Sequence, residues 1–354
     1  MFLLVAGFKQ KLQYKRRRIA LMNTKEIQRQ LFEFVKTKLS AEASLADEVA
    51  KLLGISSDSA YRRLRGEKVI TFDELITLAT HFKIPIEGIM SIETAGFMFQ
   101  GNLLNSKTFR FDAYQTGMMN ILAYFNSFKK KEVYYLSKEA PIFHYFHLRE
   151  LAAFKYFVWM STLTFYPDFK NKKITLDEYP DSLFEIGQKI IGLYNQIDSN
   201  EFWNIESWNS TMHQIDYYLD SQMFQSDNDA LKVYEAMEKL LNHLEEQAKR
   251  GYKFSIDDPE KKPQGKYNMY FNETVLLDNS MLILLDNTKM ASVNHTAINY
   301  MVTRDINYCE NYYNYVQNLV RRSTLISEVS EKERASFFKR MHQRIDKRKD
   351  SLKV

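Results

Sequence analysis

The chain contains little of three residue types that define common protein classes. It has one cysteine, Cys309, among 354 residues, which excludes an intrachain disulfide and fits a reducing compartment. Only 6 prolines and 11 glycines stand against 25 Phe and 22 Tyr, so the composition excludes a disordered or low-complexity chain. No apolar run approaches the roughly 18 residues that a membrane-spanning helix needs. We therefore expect a folded, cytoplasmic protein of two domains with no membrane partner.

The formal net charge of +5 is a poor guide to the binding partner. Residues 1–21 carry six Lys and Arg and no acid, so the rest of the chain has a net charge of 5 − 6 = −1. The opening apolar residues precede these cations, which is the reverse of a secretory signal. Because a clean helical pattern starts at Met22, we interpret residues 1–21 as an N-terminal extension and Met22 as an alternative start. A nucleic-acid partner must therefore be argued from local charge.

Residues 22–92 predict a compact bundle of five short helices. Apolar residues recur every four positions over residues 23–39, which indicates a first amphipathic helix. A second helix begins near Ser44 and ends at Gly54, and a third ends at Gly66.

The fourth helix carries the clearest start signal of the bundle. Thr71 and Glu74 have the capping-box spacing, in which each side chain binds the free backbone N–H of the other residue. Pro85 can begin a fifth helix around residues 86–90. Five residues are predicted to form the buried stripe of the fourth helix: Phe72, Leu75, Ile76, Ala79 and Phe82.

The rest of the chain has a mixed pattern. Gly, Asn and Ser indicate a linker over residues 93–108. Residues 109–330 predict several helices, one strand over residues 132–137 and a β meander over residues 267–293. A basic helical tail covers residues 331–354. We expect a mainly α fold, in which the larger C-terminal domain is mostly helical and carries a small antiparallel sheet.

Three arginines fall within four positions of the third helix, and the residues before them match the requirements of a helix-turn-helix. A helix-turn-helix needs a small residue where its helices cross and a residue that tolerates positive φ in the turn. Ala50 and Gly54 meet these demands, and Ala60 and Leu64 lie one turn apart on the inner side of the third helix. The outer side then carries Ser57, Asp58, Tyr61, Arg62 and Arg65.

Residues 44–89 resemble the helix-turn-helix of Xre/phage-repressor-type bacterial transcription regulators. The similarity includes the Ala50/Gly54 spacing, the Arg65-Gly66 ending and the order of the helices. It implies a lambda-repressor-like DNA-binding domain over residues 22–92 and a transcription regulator that binds double-stranded DNA as a homodimer.

The resemblance also implies roles for residues of the third helix. Those expected at base edges are Ser57, Asp58 and Arg62. Those expected near the DNA backbone are Ser56, Ser59, Arg65 and Lys68. Tyr61 and Arg63 can serve either purpose. Arg63 stands where the family usually has an apolar residue, so we expect Leu64 to take over the packing and the helix to be slightly rotated.

Other sites are weaker. His144, His147 and Glu150 have a spacing that could hold a metal, but their aromatic surroundings favour structural histidines, so no metal site is predicted. No motif for a nucleophile, a phosphate loop or a cofactor is present, and we predict no catalytic activity and no cofactor. Cys309 is interpreted as a packing residue.

Three alternatives stay open at this stage. The bundle could be a protein-interaction adaptor, or it could target an enzyme in the C-terminal domain. The C-terminal domain could sense a small molecule or only bind proteins, including a second copy. In the basic tail, a docked helix is favoured over an additional phosphate-binding segment.

Overall fold

The structure is a computed structural model, and it describes residues 24–36, 39, 44–84, 97–101, 109–163, 169, 172–274, 279–296 and 298–352. The chain divides into two compact units, an N-terminal unit of Met1–Gly96 and a C-terminal unit of Phe97–Val354. The predicted extension over residues 1–21 and the predicted fifth helix over residues 86–90 lie outside the described residues.

Four described helices build the N-terminal unit. They are α1 (Thr24–Lys36), α2 (Leu45–Leu53), α3 (Ser57–Leu64) and α4 (Phe72–Phe82). Every helix contributes an apolar side to one shared core, because short amphipathic helices are stable only when these sides are buried together. The buried core residues are Leu31, Phe32, Val35, Val49, Ala50, Ala60, Leu78, Phe82 and Ile84.

The predicted stripe of α4 is only partly correct. Phe82 is buried and Leu75 and Ala79 are half-buried, but Phe72 is 74% exposed and Ile76 is 46% exposed, and the buried Leu78 was not predicted. At 3.6 residues per turn, positions 75, 78 and 82 share one side of the helix, whereas 72 and 76 lie beside it. The spacing of the apolar residues of α4 fits two overlapping stripes, and it does not show which of them packs against the core.

The C-terminal unit alternates helices with strands. Its elements are α5 (Phe111–Asn126), β1 (Lys131–Leu136), a 3-10 helix (Ile142–His147), α6 (Arg149–Val158) with a following π-helical turn (Trp159–Leu163), α7 (Asp181–Asn195), β2 (Asp198–Trp203), α8 (Asn209–Asp220), α9 (Asp227–Arg250), β3 (Tyr267–Phe271), β4 (Ser280–Leu285), β5 (Thr288–Asn294), β6 (Tyr300–Thr303), α10 (Ile306–Arg322), β7 (Thr324–Leu325) and α11 (Glu331–Ser351).

The strands form one seven-stranded mixed sheet in the order β6-β5-β4-β1-β2-β3-β7. β1, β2 and β3 run parallel, while the remaining neighbours pair antiparallel. The predicted mainly α fold with a small antiparallel sheet is therefore wrong. Parallel strands are joined through intervening helices, so their pairing leaves no local turn signal in the sequence. β2 also carries polar residues of the types that are common in turns, so its sequence does not show a strand pattern.

The two faces of the sheet bury different partners. Trp203 and Met269 belong to the large core shared with the helices, whereas Phe202 and Leu282 pack against α10 on the other face. α11 packs against α9 and belongs to the C-terminal unit. No described helix is long and apolar enough to cross a membrane.

Candidate nucleic-acid interface

The junction between α2 and α3 is a tight turn. Gly54 follows α2 with a φ of 63°, a conformation that residues with a Cβ rarely adopt. Its N–H and the N–H of Ile55 both donate to the carbonyl of Ala50, the latter at 3.0 Å. Ala50 and Ala60 are buried, so the two helices approach without a large side chain at these positions. The pattern of small residues thus builds two closely packed, crossing helices.

The serines at the start of α3 already hold the local backbone. The Ser56 hydroxyl accepts the N–H of Ser59 at 3.3 Å and caps the helix. The Ser57 hydroxyl donates to Asp47 of α2 at 3.0 Å. Ser56, Ser57 and Asp58 are exposed, while Ser59 is half-buried. A hydroxyl that donates to a carboxylate keeps its lone pairs, so Ser57 can still accept a bond from a ligand.

Cationic and aromatic side chains cover the end of α3. Arg62 and Lys68 are exposed, Tyr61 is 49% exposed, and no hydrogen bond or ion pair of the Arg62 guanidinium occurs among the described residues. Arg65 pairs with Glu67 at 3.0 Å, but both side chains are at least half exposed. Such a pair contributes at most about 1 kcal/mol, so Arg65 can exchange it for a phosphate. We define the α3 outer face as Ser57, Asp58, Tyr61, Arg62, Arg65 and Lys68.

Arg63 does not lie on the α3 outer face. It is 3% exposed, and its guanidinium binds both carboxylate oxygens of Glu74, at 2.6 and 3.0 Å, and the Ser59 carbonyl at 3.0 Å. The predicted contact between Arg63 and DNA is corrected accordingly. Arg63 itself occupies a buried inner position, and Leu64, which was predicted to take over the packing, is half-buried and packs against the core.

Glu74 makes a buried arginine tolerable at this position. Its carboxylate also accepts the N–H of Thr71 at 3.0 Å, and the Thr71 hydroxyl accepts the N–H of Glu74 at 3.2 Å. The predicted capping box is therefore confirmed. The Arg63 guanidinium lowers the pKa of Glu74 below its ordinary value. One carboxylate thus starts α4 and neutralises the inner side of α3.

A residue that the sequence pattern missed connects α1 to this region. Gln28 is buried, and its amide donates to the Arg63 carbonyl at 2.7 Å and to the Lys68 carbonyl at 2.8 Å. Its carbonyl accepts the N–H of Ile70 at 3.1 Å. Gln28 thereby fixes the chain after α3 and the position of Lys68. In the sequence, Gln28 could have been recognised as a single polar residue on the apolar side of α1.

The C-terminal unit holds a buried polar cluster of a different kind. The Glu201 carboxylate on β2 accepts bonds from the Tyr194 hydroxyl at 2.6 Å and from the Trp203 indole at 3.0 Å, and it contacts His144 Nε2 at 3.0 Å. Its pKa is lowered because the attraction of His144 and these bonds outweigh burial.

Two further histidines continue this cluster. The His147 ring lies 5.8 Å from the His144 ring and 4.8 Å from the His243 ring, centroid to centroid. Burial lowers the pKa of His147 well below its ordinary value and that of His243 to about 3. Lys253 donates to the Tyr194 carbonyl at 2.7 Å, and burial lowers its pKa to about 7. All members of the cluster are buried in the core of the C-terminal unit.

The spacing that suggested a metal does not form a ligand set. His144 and His147 are both buried, His144 contacts Glu201, and Glu150 is half-buried on α6. In the described part of the chain, no group of three or more His, Cys, Asp or Glu is arranged to hold a metal ion.

The basic helix α11 binds its own unit. Phe337, Phe338, Met341 and Ile345 are buried. Its cations pair with neighbouring acids, which are Glu273 for Arg340, Glu206 for Arg344, Asp216 for Arg348 and Glu238 for Lys349. Arg334 is buried and donates to the carbonyls of Ile326 and Val329. These contacts correspond to the docked helix that the sequence favoured.

No family model, no curated protein and no solved structure matches this chain. We therefore infer a function from the α3 outer face and from the sequence pattern of residues 44–89.

Proposed function

We propose that the N-terminal unit binds double-stranded DNA sequence-specifically and that the chain is a transcriptional regulator. The observation that carries the proposal is the α3 outer face. Behind a tight turn at Gly54, a short helix turns its buried side to the core and presents Arg62 and Arg65 to solvent. A helix of this kind is the element that enters the major groove in helix-turn-helix proteins.

Each residue of the α3 outer face has a proposed role. Arg62 reads a guanine through two parallel hydrogen bonds, and Ser57 and Asp58 contact base edges from the first turn. Arg65 and Lys68 bind phosphates, as do Ser56 and Ser59, and Tyr61 contacts either a base or the backbone. Arg63 acts only through Glu74 by holding α3 against α4.

The C-terminal unit is assigned sensing or self-association. A homodimer presents two copies of α3 about 34 Å apart, which matches successive major-groove faces of a duplex. The proposal includes a cytoplasmic location, a small-molecule or protein effector of the C-terminal unit, and recognition without catalysis.

The test is retention of the full-length protein on duplex DNA at low salt. We expect the double variant Arg62→Ala/Arg65→Ala to lose at least about 100-fold in affinity, because two phosphate or base contacts disappear. The charge-matched control is Lys189→Ala/Lys239→Ala, which removes two exposed cations of the C-terminal unit. Equal loss in both double variants, or no retention of the wild-type protein, would overturn the proposal.

One observation favours a second candidate, a protein-interaction adaptor. Val69, Phe72 and Ile76 are 59%, 74% and 46% exposed, and they follow α3 on the surface of the bundle. Under this alternative, wild-type DNA retention is weak and unchanged by Arg62→Ala/Arg65→Ala, whereas Phe72→Ser abolishes capture of a partner protein.

A further inference from the structure

Helix α5 has an exposed side that is uncharged from Ala113 to Ser127; Asp112, whose side chain is 48% exposed and pairs with Arg110, lies just before it. Ile121 is 55% exposed and Tyr124 is 48% exposed, and they lie among small and neutral residues. The exposed residues of this side are Ala113, Gly117, Asn120, Ile121, Ala123, Tyr124 and Ser127, with Phe128 half-buried at its end. We call this surface the α5 face.

Other described helices of the same unit expose charges instead. The outward positions of α7 include Glu185 and Lys189, and those of α9 include Glu235 and Lys239. Since charged residues make up 26% of the chain, an exposed helix side about 15 residues long without charge is a local exception. Exposed apolar surface of this kind marks a contact with another macromolecule.

The residues of the α5 face are ordered by size. Ala113 and Gly117 lie in the first half, and Tyr124 and Phe128 lie in the second. With Asn120 between them, these residues are spaced by four, three, four and four positions, as along the seam where two helices interlock. When a copy of α5 is laid antiparallel on the first, Gly117 faces Tyr124 of the copy, Ala113 faces Phe128, and Asn120 faces Ile121. Each small residue then meets a large one.

Gly117 adds an independent argument for this arrangement. A Cβ placed on Gly117 meets nothing within 4 Å, so the chain itself does not need a glycine there. Glycine in a helix interior is unfavourable, because it loses more backbone freedom on folding than other residues. What Gly117 provides is space outside α5, at the position where the ring of the opposing Tyr124 falls.

We propose that a second copy of this chain docks on the α5 face, with the two α5 helices antiparallel about a twofold axis between Asn120 and Ile121. This rests on the proposed function, which uses a dimer. An isologous contact brings a surface against itself, so a face without charge avoids like-charge opposition. Only an antiparallel copy uses both the small half and the large half of the face.

The experiment is sedimentation velocity of the full-length protein over a range of concentrations. We expect a wild-type dimer and a Gly117→Glu protein whose dimer dissociation constant is raised at least about 100-fold, because the new carboxylate is buried against Tyr124. The matched control is Gly192→Glu, since Gly192 of α7 also has open space around a Cβ. Both variants are checked for native helix content by circular dichroism.

A complementary mixture tests the register. In a mixed dimer of Gly117→Glu and Tyr124→Lys chains, the new carboxylate faces the new amine at one contact, and the native pair of Gly117 and Tyr124 remains at the other. We therefore expect the mixture to form dimers that neither variant forms alone. A monomeric wild-type protein, an unchanged Gly117→Glu dimer, or a mixture that stays monomeric would overturn the proposal.

These outcomes are independent of DNA binding. A monomer that still loses DNA retention in the Arg62→Ala/Arg65→Ala variant contradicts the α5 face and leaves the proposed function supported. A dimer that Gly117→Glu disrupts but that does not bind DNA contradicts the proposed function and supports the α5 face.

Discussion

Helices α3 and α11 are both rich in cations, yet they use them in opposite ways. On α3, Arg62 and Arg65 are exposed, and only Arg63 is buried against a carboxylate. On α11, Arg344, Arg348 and Lys349 pair with acids of the same unit. The number of basic residues therefore does not decide which helix can bind a phosphate. The decisive property is how firmly a carboxylate of the chain holds each cation: the pairs of α11 are partly buried, whereas Arg65 and Glu67 are both at least half exposed and Arg65 can exchange its partner.

The same contrast extends to the cores of the two units. The described core of the N-terminal unit is apolar apart from Arg63 and Gln28, whereas the C-terminal unit buries Glu201 with three histidines and Lys253. The N-terminal unit thus keeps most charges available to a partner. The C-terminal unit uses them for internal structure and becomes sensitive to protonation.

The largest predicted effect concerns the buried histidines. Burial lowers the pKa of His147 and His243, so both stay neutral in the folded unit, while the unfolded chain takes up protons near the ordinary pKa of 6.5. The free energy of unfolding of the C-terminal unit is therefore unaffected by these histidines above pH 6.5. Below pH 6.5 it falls by up to about 1.4 kcal/mol per pH unit for each histidine. Glu201, whose pKa is lowered from 4.5, adds to this loss only at lower pH.

This is measured by urea unfolding followed through tryptophan fluorescence, because Trp203 and Trp208 lie buried in that core. We expect the double variant His147→Gln/His243→Gln to flatten the loss of stability below pH 6.5. The exposed His213 provides the control, and His213→Gln should leave the slope unchanged. Equal slopes in the wild type and the double variant would contradict the assignment.

A smaller effect is expected inside α3. Arg63→Ala leaves Glu74 without its buried partner, and we expect a loss of about 2 kcal/mol in the stability of the N-terminal unit. The tryptophans all lie in the C-terminal unit, so amide hydrogen exchange over residues 57–82 is the suitable measurement. Arg62→Ala on the same helix should change stability by less than about 0.5 kcal/mol. Similar losses from both substitutions would remove the distinction between the two arginines.

One substitution in each helix tests whether α3 and α11 use their cations differently. Arg344→Ala removes bonds to Glu206, Asn209 and the Ile205 carbonyl, and we expect the C-terminal unit to lose about 1 kcal/mol because these groups are partly exposed. DNA retention should not change. Arg62→Ala should do the reverse, with weaker retention and unaltered stability. Weaker DNA retention from Arg344→Ala would show that α11 also contacts the duplex.

The smallest effect involves the exposed pair of Arg65 and Glu67. Glu67→Gln frees Arg65 and removes a negative charge near the α3 outer face, so we expect DNA affinity to rise about threefold at low salt. The gain should disappear at high salt. Glu33→Gln on α1 is the control, because Glu33 is exposed on another helix. An equal gain from that control would indicate a general charge effect.

Local signals in the sequence correctly predicted two features of the N-terminal unit. The capping box at Thr71 and Glu74 and the glycine turn at Gly54 involve residues within a few positions of each other, and the structure contains both. The placement of Arg63 could not be predicted in the same way. Its partner Glu74 lies eleven positions later, in the next helix. Without that partner, the local sequence around Arg63 predicts a solvent-exposed arginine.

The sequence by itself determined where most helices start and stop, because caps, glycines and apolar periodicity act over one or two turns. Only the tertiary structure decided the parallel pairing of β1, β2 and β3, the burial of Arg63, and the internal pairing of the cations on α11. These features depend on which distant residues become neighbours. That choice is made by the packing of the whole unit, and no short segment of the chain contains it.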